Sequence, residues 1–133
     1  GYGNFAAVPA SVSVINSTSN TFMNKLGTDI SYPFLRMYHD TAYFYNNYGG
    51  NGTARVYNTL TNTTIRQEFI TDGTTITTPY GINIDEQNGN IYVMDAKDYV
   101  SSGSVTCFDR SGKKLFTFSV SPGVNPNKVL FIR

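Results

Sequence analysis

The sequence predicts an all-β protein, and three observations support this fold class. Charged residues make up only 14% of the 133 residues, whereas Tyr, Thr, Val and Ile, which favour strands, are abundant. Short apolar runs alternate with polar residues at the period of a β-strand, and clusters of Asn, Gly and Ser separate these runs. The third observation is an internal repeat: Pro33, Pro79 and Pro126 stand 46 and 47 residues apart, and each is followed by a short apolar strand.

The stretch from Thr78 to Arg110 shows the strand pattern most clearly. Its apolar runs are separated by Asn88-Gly89-Asn90 and by Ser101-Ser102-Gly103. Asn-Gly suits the left-handed backbone of a tight hairpin, so the first of these clusters predicts a β-turn. The stretch is therefore interpreted as one unit of the repeat.

Each complete unit contains four predicted strands, with a shorter remnant at either end of the chain. The first unit has strands at Phe34–Tyr38, Thr41–Asn46, Ala54–Asn58 and Ile65–Ile70. The second has strands at Tyr80–Asp85, Asn90–Asp95, Ser104–Phe108 and Leu115–Val120. The remnants are Ser11–Asn16 and Phe22–Gly27 at the start and Lys128–Ile132 at the end.

Four antiparallel strands repeated every 40 to 50 residues are typical of the blades of a β-propeller. The predicted blades are residues 1–31 (the end of one blade), 32–77, 78–124 and 125–133 (the first strand of a further blade). With about two and three-quarter repeats, the chain is expected to be a fragment of a larger propeller. Exposed sheet faces and unpaired strand edges would then favour self-association or a rearranged compact packing. An ordinary β-sandwich with chance internal similarity is the alternative.

The charge and the cysteine and histidine content argue against several function classes. The net charge is +1 and the longest basic run is Lys113-Lys114, so no nucleic acid partner is predicted. One cysteine and one histidine form no metal-binding motif, and neither a metal nor a cofactor is predicted. Cys107 aligns with Val14 and Val56 of the other units, which predicts a small buried residue rather than a reactive thiol. No apolar run approaches the length of a membrane span.

The loop between the second and third strands of each unit carries the candidate binding residues. A polar residue and then an aromatic one recur there, with the aromatic 9, 8 and 8 residues before Val14, Val56 and Cys107: Asn4-Phe5, Asn47-Tyr48 and Asp98-Tyr99. Aromatic faces beside amide or carboxylate acceptors suit sugars, flat cofactors or peptides. The ligand-binding residues predicted from this pattern are Phe5, Asn47, Tyr48, Asp98 and Tyr99. A repeated aromatic that locks each loop against the neighbouring blade is the structural alternative.

Asp85, Asp95 and Asp98 are the candidates for acid–base chemistry, together with His39. No recognisable nucleophile motif accompanies them. Asp side chains that cap turns by accepting backbone hydrogen bonds are the ordinary alternative. No catalytic residue is therefore predicted.

The last complete unit contains five short motifs: Pro79-Tyr80-Gly81-Ile82, Asn88-Gly89-Asn90-Ile91-Tyr92-Val93, Asp95-Ala96-Lys97-Asp98-Tyr99, Gly103-Ser104-Val105 and Phe108-Asp109-Arg110-Ser111-Gly112-Lys113. Together they resemble a known family, the YncE-like propeller lipoproteins of gut Bacteroidetes. The resemblance implies an extracytoplasmic protein, at the outer-membrane surface or in the periplasm of a Gram-negative bacterium. It also implies a typically seven-bladed ring, a TonB-dependent transporter as a partner, and in some members a corrinoid ligand.

The expected function is a non-catalytic binding or scaffolding module within a surface-exposed propeller. Its ligand would be a small molecule, a glycan or a corrinoid-like compound, contacted through the loops of Phe5, Tyr48 and Tyr99. A propeller-type hydrolase or lyase acting on glycans or lactones is the alternative, although fold alone carries little weight for activity. A third possibility is a segment that only completes the ring of a longer chain.

Overall fold

A computed structural model describes residues 12–26, 34–45 and 54–133. These residues are all-β, with ten strands in three antiparallel sheets. The first sheet contains β1 (Val12–Asn16) and β2 (Thr21–Leu26). The second contains β3 (Phe34–Tyr38), β4 (Thr41–Tyr45), β5 (Arg55–Asn58) and β6 (Thr63–Arg66). The third contains β7 (Pro79–Ile84), β8 (Ile91–Asp95), β9 (Ser104–Phe108) and β10 (Lys114–Ser119).

Strands that follow one another in the sequence are neighbours in the sheets. The order is β3-β4-β5-β6 in the second sheet and β7-β8-β9-β10 in the third, and every pairing is antiparallel. The predicted all-β fold with four-stranded antiparallel units is confirmed. The three sheets are compatible with propeller blades, although the described residues do not close a ring.

The alternation of side chains along β4 determines how the sheets stack. Tyr43 and Tyr45 point into a layer shared with the third sheet, whereas Ala42 and Phe44 belong to a layer with Tyr57 on the opposite face. Val12 and Val14 of the first sheet pack against this second layer. Tyr43 and Tyr45 thus share a face opposite Phe44, as the two-residue period of a strand dictates. The second sheet therefore lies between the other two.

The layer between the second and third sheets is the main core of the described residues. Phe69 is fully buried in it and packs edge-to-face against Tyr43 and Phe108, with ring centroids 5.8 and 5.4 Å away. The remaining buried members are Tyr45, Ala54, Val56, Ile82, Ile84, Ile91 and Val93. Phe69 follows β6, whose predicted range of Ile65–Ile70 was wrong at both ends. The strand ends at Arg66 because the chain then turns Phe69 inward, where its N–H donates to the Ala54 carbonyl oxygen at 2.8 Å.

The turn that joins β9 to β10 contacts the connection between the second and third sheets. The Thr71 N–H donates to the Gly112 carbonyl oxygen at 3.0 Å, and the Thr71 hydroxyl donates to the Ser111 carbonyl oxygen at 2.8 Å. The Lys114 N–H donates to the Asp72 carboxylate at 2.8 Å. Gly112 has φ = +84° and lies directly against the Phe69 carbonyl group. These contacts fix the turn relative to the connection.

Residues 125–133 do not form the strand predicted at Lys128–Ile132. The Val129 N–H instead donates to the Asn83 side-chain oxygen at 2.9 Å, and Phe131 packs edge-to-face on Tyr92 at 5.1 Å. Arg133 forms an ion pair with Asp85. The segment therefore lies along the third sheet through side-chain contacts, without joining a backbone ladder. No helix of the described residues is long and apolar enough to cross a membrane.

Candidate functional site

The candidate binding loop, residues 96–103, lies at the end of the third sheet where β8 finishes and β9 starts. The Ala96 N–H donates to the Thr78 carbonyl oxygen at 3.0 Å, which ties the loop to the segment entering β7. The Gly103 N–H donates to the Gly123 carbonyl oxygen at 3.0 Å, which ties it to the segment after β10. Three connections therefore meet at one rim.

Asp95 fixes the start of the loop. This buried side chain accepts hydrogen bonds from the N–H groups of Thr77, Thr78 and Lys97 at 3.0, 2.8 and 2.8 Å. The Thr78 hydroxyl in turn donates to the Lys97 carbonyl oxygen at 2.5 Å. A buried carboxylate with three donors is fully engaged in holding two segments together. The bond from the Lys97 N–H is the local turn cap predicted for Asp95, whereas the bonds from Thr77 and Thr78 join the loop to a distant segment.

Asp98 caps the turn at the tip of the loop. Its carboxylate accepts from the N–H groups of Val100 and Ser101 at 3.0 and 2.6 Å, and from the Ser101 hydroxyl at 2.7 Å. The Ser101 N–H and hydroxyl, followed by the Val100 N–H, lower the pKa of the Asp98 carboxyl to about 2. The side chain therefore stays charged near neutral pH and organises its own loop.

Tyr99 presents its ring on the rim. Its backbone is left-handed, with φ = 64°, and its N–H donates to the Ala96 carbonyl oxygen at 2.9 Å. The ring packs edge-to-face on Tyr80, with centroids 5.9 Å apart, and Tyr99 is 46% exposed. Val100 beside it is 81% exposed. The arrangement gives an aromatic pair with an open face on a loop fixed by hydrogen bonds.

The structure describes two of the five residues predicted to bind a ligand. Asp98 and Tyr99 lie on the rim, whereas Phe5, Asn47 and Tyr48 fall outside the described residues. Tyr80 was not singled out by the sequence pattern. It follows Pro79 as Phe34 follows Pro33, so the repeat itself contained the signal.

The carboxylates considered for acid–base chemistry do not converge. Asp85 follows β7 and Asp95 ends β8, so they lie at opposite ends of one hairpin. Asp85 accepts from the Gln87 N–H at 3.0 Å and from the Asn88 side chain at 3.2 Å, besides pairing with Arg133. His39 lies in the β3–β4 turn and packs on Tyr38, with ring centroids 4.3 Å apart. Within residues 12–26, 34–45 and 54–133, no group of three or more His, Cys, Asp or Glu side chains could hold a metal ion.

Cys107 is fully buried in β9, as its equivalence to Val14 and Val56 predicted. Burial raises the pKa of its thiol, and the nearby Asp85 and Asp109 carboxylates act in the same direction, whereas a hydrogen bond with Tyr92 opposes them. A protonated and inaccessible thiol is a poor nucleophile. The prediction of a buried apolar role is therefore confirmed.

Acid should disrupt the hydrogen bonds of the Asp98 turn only at a pH well below the usual pKa range of aspartate. The folded pKa of about 2 lies below the ordinary value of 3.8, so the carboxylate stabilises the folded loop fully above 3.8. That contribution is lost as the pH falls through about 2. A carbon-detected NMR titration should place the Asp98 midpoint there, with the amide resonances of Val100 and Ser101 moving in step. In Asp98→Asn this acid step should disappear, and a midpoint near 3.8 in the native protein would contradict the capping geometry.

Comparisons with known proteins do not assign the chain to a family. No protein-family profile matches the sequence. A comparison with curated proteins gives no significant match.

Proposed function

We propose that this protein is a non-catalytic binding or scaffolding module of a surface-exposed propeller, and that its rim loops contact the ligand. The observation that supports this best is the half-exposed Tyr99 ring on Tyr80, carried by a loop that Asp95 and Asp98 fix. Binding residues tend to lie on loops that a rigid scaffold positions. A prearranged loop also loses less conformational entropy when a ligand binds.

The proposed ligand class is a glycan or a small molecule with a flat apolar face, a corrinoid-like compound included. Tyrosine suits such ligands because its ring offers a broad apolar face and its hydroxyl a polar contact. Phe5, Asn47 and Tyr48 complete the proposed site by their equivalence in the repeat. Because the Asp98 carboxylate already accepts three hydrogen bonds within the loop, its role in this proposal is mainly to present Tyr99.

The proposal extends to the location of the protein. The motifs of residues 78–113 support an extracytoplasmic position, at the outer-membrane surface or in the periplasm of a Gram-negative bacterium. They also support a TonB-dependent transporter as a partner. Both parts rest on the resemblance of those motifs to YncE-like propeller lipoproteins.

Replacing Tyr99 with alanine should abolish most binding through the rim. The protein would be screened on an array of plant and mucin oligosaccharides and, separately, titrated with cyanocobalamin by calorimetry. For any compound that binds, Tyr99→Ala should weaken the affinity by about fivefold or more, because a stacked aromatic face contributes about 1 kcal/mol or more. Tyr48→Ala should act in the same direction.

Phe116→Ala is the matched control, since Phe116 is 47% exposed but lies on β10 away from the loop. It should leave the affinity within twofold. Thermal unfolding of each variant would show whether the fold is intact. An equal loss of binding in Phe116→Ala, or unfolding of Tyr99→Ala, would overturn the proposal and assign the loop aromatics a structural role.

A further inference from the structure

A cleft lies between the second and third sheets, away from the rim of Tyr99. It has a volume of about 300 Å³ and is lined by Thr41, Tyr43, Val56, Ile65, Arg66, Arg110 and Ser111. Arg110 and Ser111 follow the carboxyl end of β9, whereas the loop of Tyr99 precedes the amino end of that strand. The cleft and the Tyr99 rim therefore occupy opposite ends of the third sheet.

Paired residues of β4, β5 and β6 form one wall of the cleft. Tyr43 on β4 is opposite Val56 on β5, and Val56 is opposite Arg66 on β6. Residues directly opposite one another in an antiparallel sheet share a face. The three side chains therefore stand side by side and all line the same cleft.

The turn after β9 supplies the other wall and brings in Arg110. The Arg66 guanidinium donates to the Arg110 carbonyl oxygen at 3.1 Å, which brings the two residues together although they are 44 positions apart. The Arg110 guanidinium lies over the Tyr38 ring, 5.0 Å from its centroid. The hydrogen bonds of Thr71 to Ser111 and Gly112 hold the same turn. Arg110 is thus carried by backbone that is fixed at several points.

Neither guanidinium is neutralised by a carboxylate. No Asp or Glu of the described residues forms an ion pair with Arg66 or Arg110. The buried Nε atom of Arg66 has no hydrogen-bond partner among these residues. The carboxylate next to Arg110 in the sequence, that of Asp109, accepts from the N–H and hydroxyl of Ser111 and from the Lys113 N–H, whereas that of Glu68, two residues after Arg66, accepts from the Ile70 N–H. The cleft therefore has two guanidiniums without a carboxylate partner, one of them with an unused buried donor, and this arrangement can accept an anion.

The Tyr43 hydroxyl is a neutral hydrogen-bond donor in the cleft of Arg66 and Arg110. Burial raises the pKa of its hydroxyl, and the charges of Arg110 and Arg66, with a hydrogen bond from Arg110, act in the opposite direction. Both arginines line the same cleft as Tyr43. The ordinary pKa of tyrosine is already far above neutral pH, so the hydroxyl is protonated and can donate to an oxyanion.

We propose that this cleft is an oxyanion-binding site for a phosphate group, held by Arg66 and Arg110 with the Tyr43 hydroxyl as a further donor. The planar fork of arginine matches the oxygens of phosphate. Two guanidiniums suit a dianion better than the single charge of a carboxylate. The site is independent of the Tyr99 rim, and neither needs the other.

Inorganic phosphate is the probe that tests the site, titrated by calorimetry and by amide NMR at constant ionic strength. Phosphate should bind, with resonance shifts concentrated at Arg66, Arg110 and Ser111, and should bind at least tenfold more tightly than acetate. Arg66→Gln and Arg110→Gln should each weaken phosphate binding by tenfold or more, and Tyr43→Phe by a smaller factor. Lys113→Gln is the matched control, because Lys113 is an exposed cation of the same turn that does not line the cleft. It should change the affinity by less than twofold.

A second measurement keeps the test valid if an arginine variant fails to fold. Phenylglyoxal would be applied to the unaltered protein, and peptide mass spectrometry would follow modification of each arginine. Phosphate should protect Arg66 and Arg110 but not Arg36, which is exposed on β3 and binds the Ile82 carbonyl oxygen. Absence of phosphate binding, equal affinity for acetate, equal loss in Lys113→Gln, or no selective protection would each overturn the proposal.

Discussion

Replacing Gly112 with alanine should destabilise the protein by roughly 2–5 kcal/mol. Gly112 has φ = +84°, which costs a residue with a Cβ atom about 1–2 kcal/mol. A Cβ atom there would also overlap the Phe69 carbonyl oxygen and crowd the Thr71 nitrogen, both of them backbone atoms. Relief of this overlap must move the β9–β10 turn away from residues 69–72. Urea unfolding followed by circular dichroism would measure the change.

Gly73→Ala measures the cost of a positive φ for alanine by itself, without the steric overlap that a Cβ atom meets at Gly112. Gly73 has a similar φ of +78°, but nothing lies within 4 Å of the position that its Cβ would take. This variant should therefore lose only about 1–2 kcal/mol. If the free energy of unfolding falls by the same amount in the two glycine variants, the close approach of the β9–β10 turn to Phe69 does not exist in solution.

Replacing Phe69 with alanine should cost about 3–5 kcal/mol, a large part of the stability of a domain of this size. Phe69 is fully buried, and its ring contacts Tyr43 from the second sheet and Phe108 from the third. Its removal would leave a cavity in the layer that joins these sheets. The free energy of unfolding in urea is again the quantity to measure.

Phe118→Ala is the matched control, because Phe118 is 46% exposed and contacts Phe116 at the outer side of the third sheet. It should cost below about 1 kcal/mol. Phe69→Leu, which keeps an apolar side chain in the layer, covers the case in which Phe69→Ala does not fold, and should retain more than half of the lost stability. Equal effects of Phe69→Ala and Phe118→Ala would contradict the assignment of Phe69 to the main core.

The strands and their faces were predictable because they depend on local periodicity. The alternation in Tyr43, Phe44 and Tyr45 assigned side chains to the correct faces, and Asn88-Gly89 marked the hairpin where Gly89 adopts φ = +75°. The equivalence of Cys107 to two valines predicted its burial. In each case a few neighbouring residues, or one repeat position, contained the whole signal.

Features that depend on long-range packing were not predictable in this way. Phe69 lies outside any strand, and only the approach of the third sheet explains its burial. Arg66 and Arg110 meet through the docking of one turn, and no spacing in the sequence encodes that contact. The predicted strand at Lys128–Ile132 was wrong because apolar alternation cannot indicate whether a free strand edge stands nearby. For the candidate site, the sequence predicted the loop of Asp98 and Tyr99 but missed the packing of Tyr99 on Tyr80.

Each described sheet is assembled entirely from strands that are consecutive in the chain, and no strand pairs with a strand of another sheet. The backbone ladders are therefore self-contained, and the sheets are joined through side chains and a few turn contacts. Duplicating or deleting one such unit would leave every other ladder with its original partners. The architecture thus allows the number of units to change during evolution while the residues at the sheet surfaces adjust to their new neighbours.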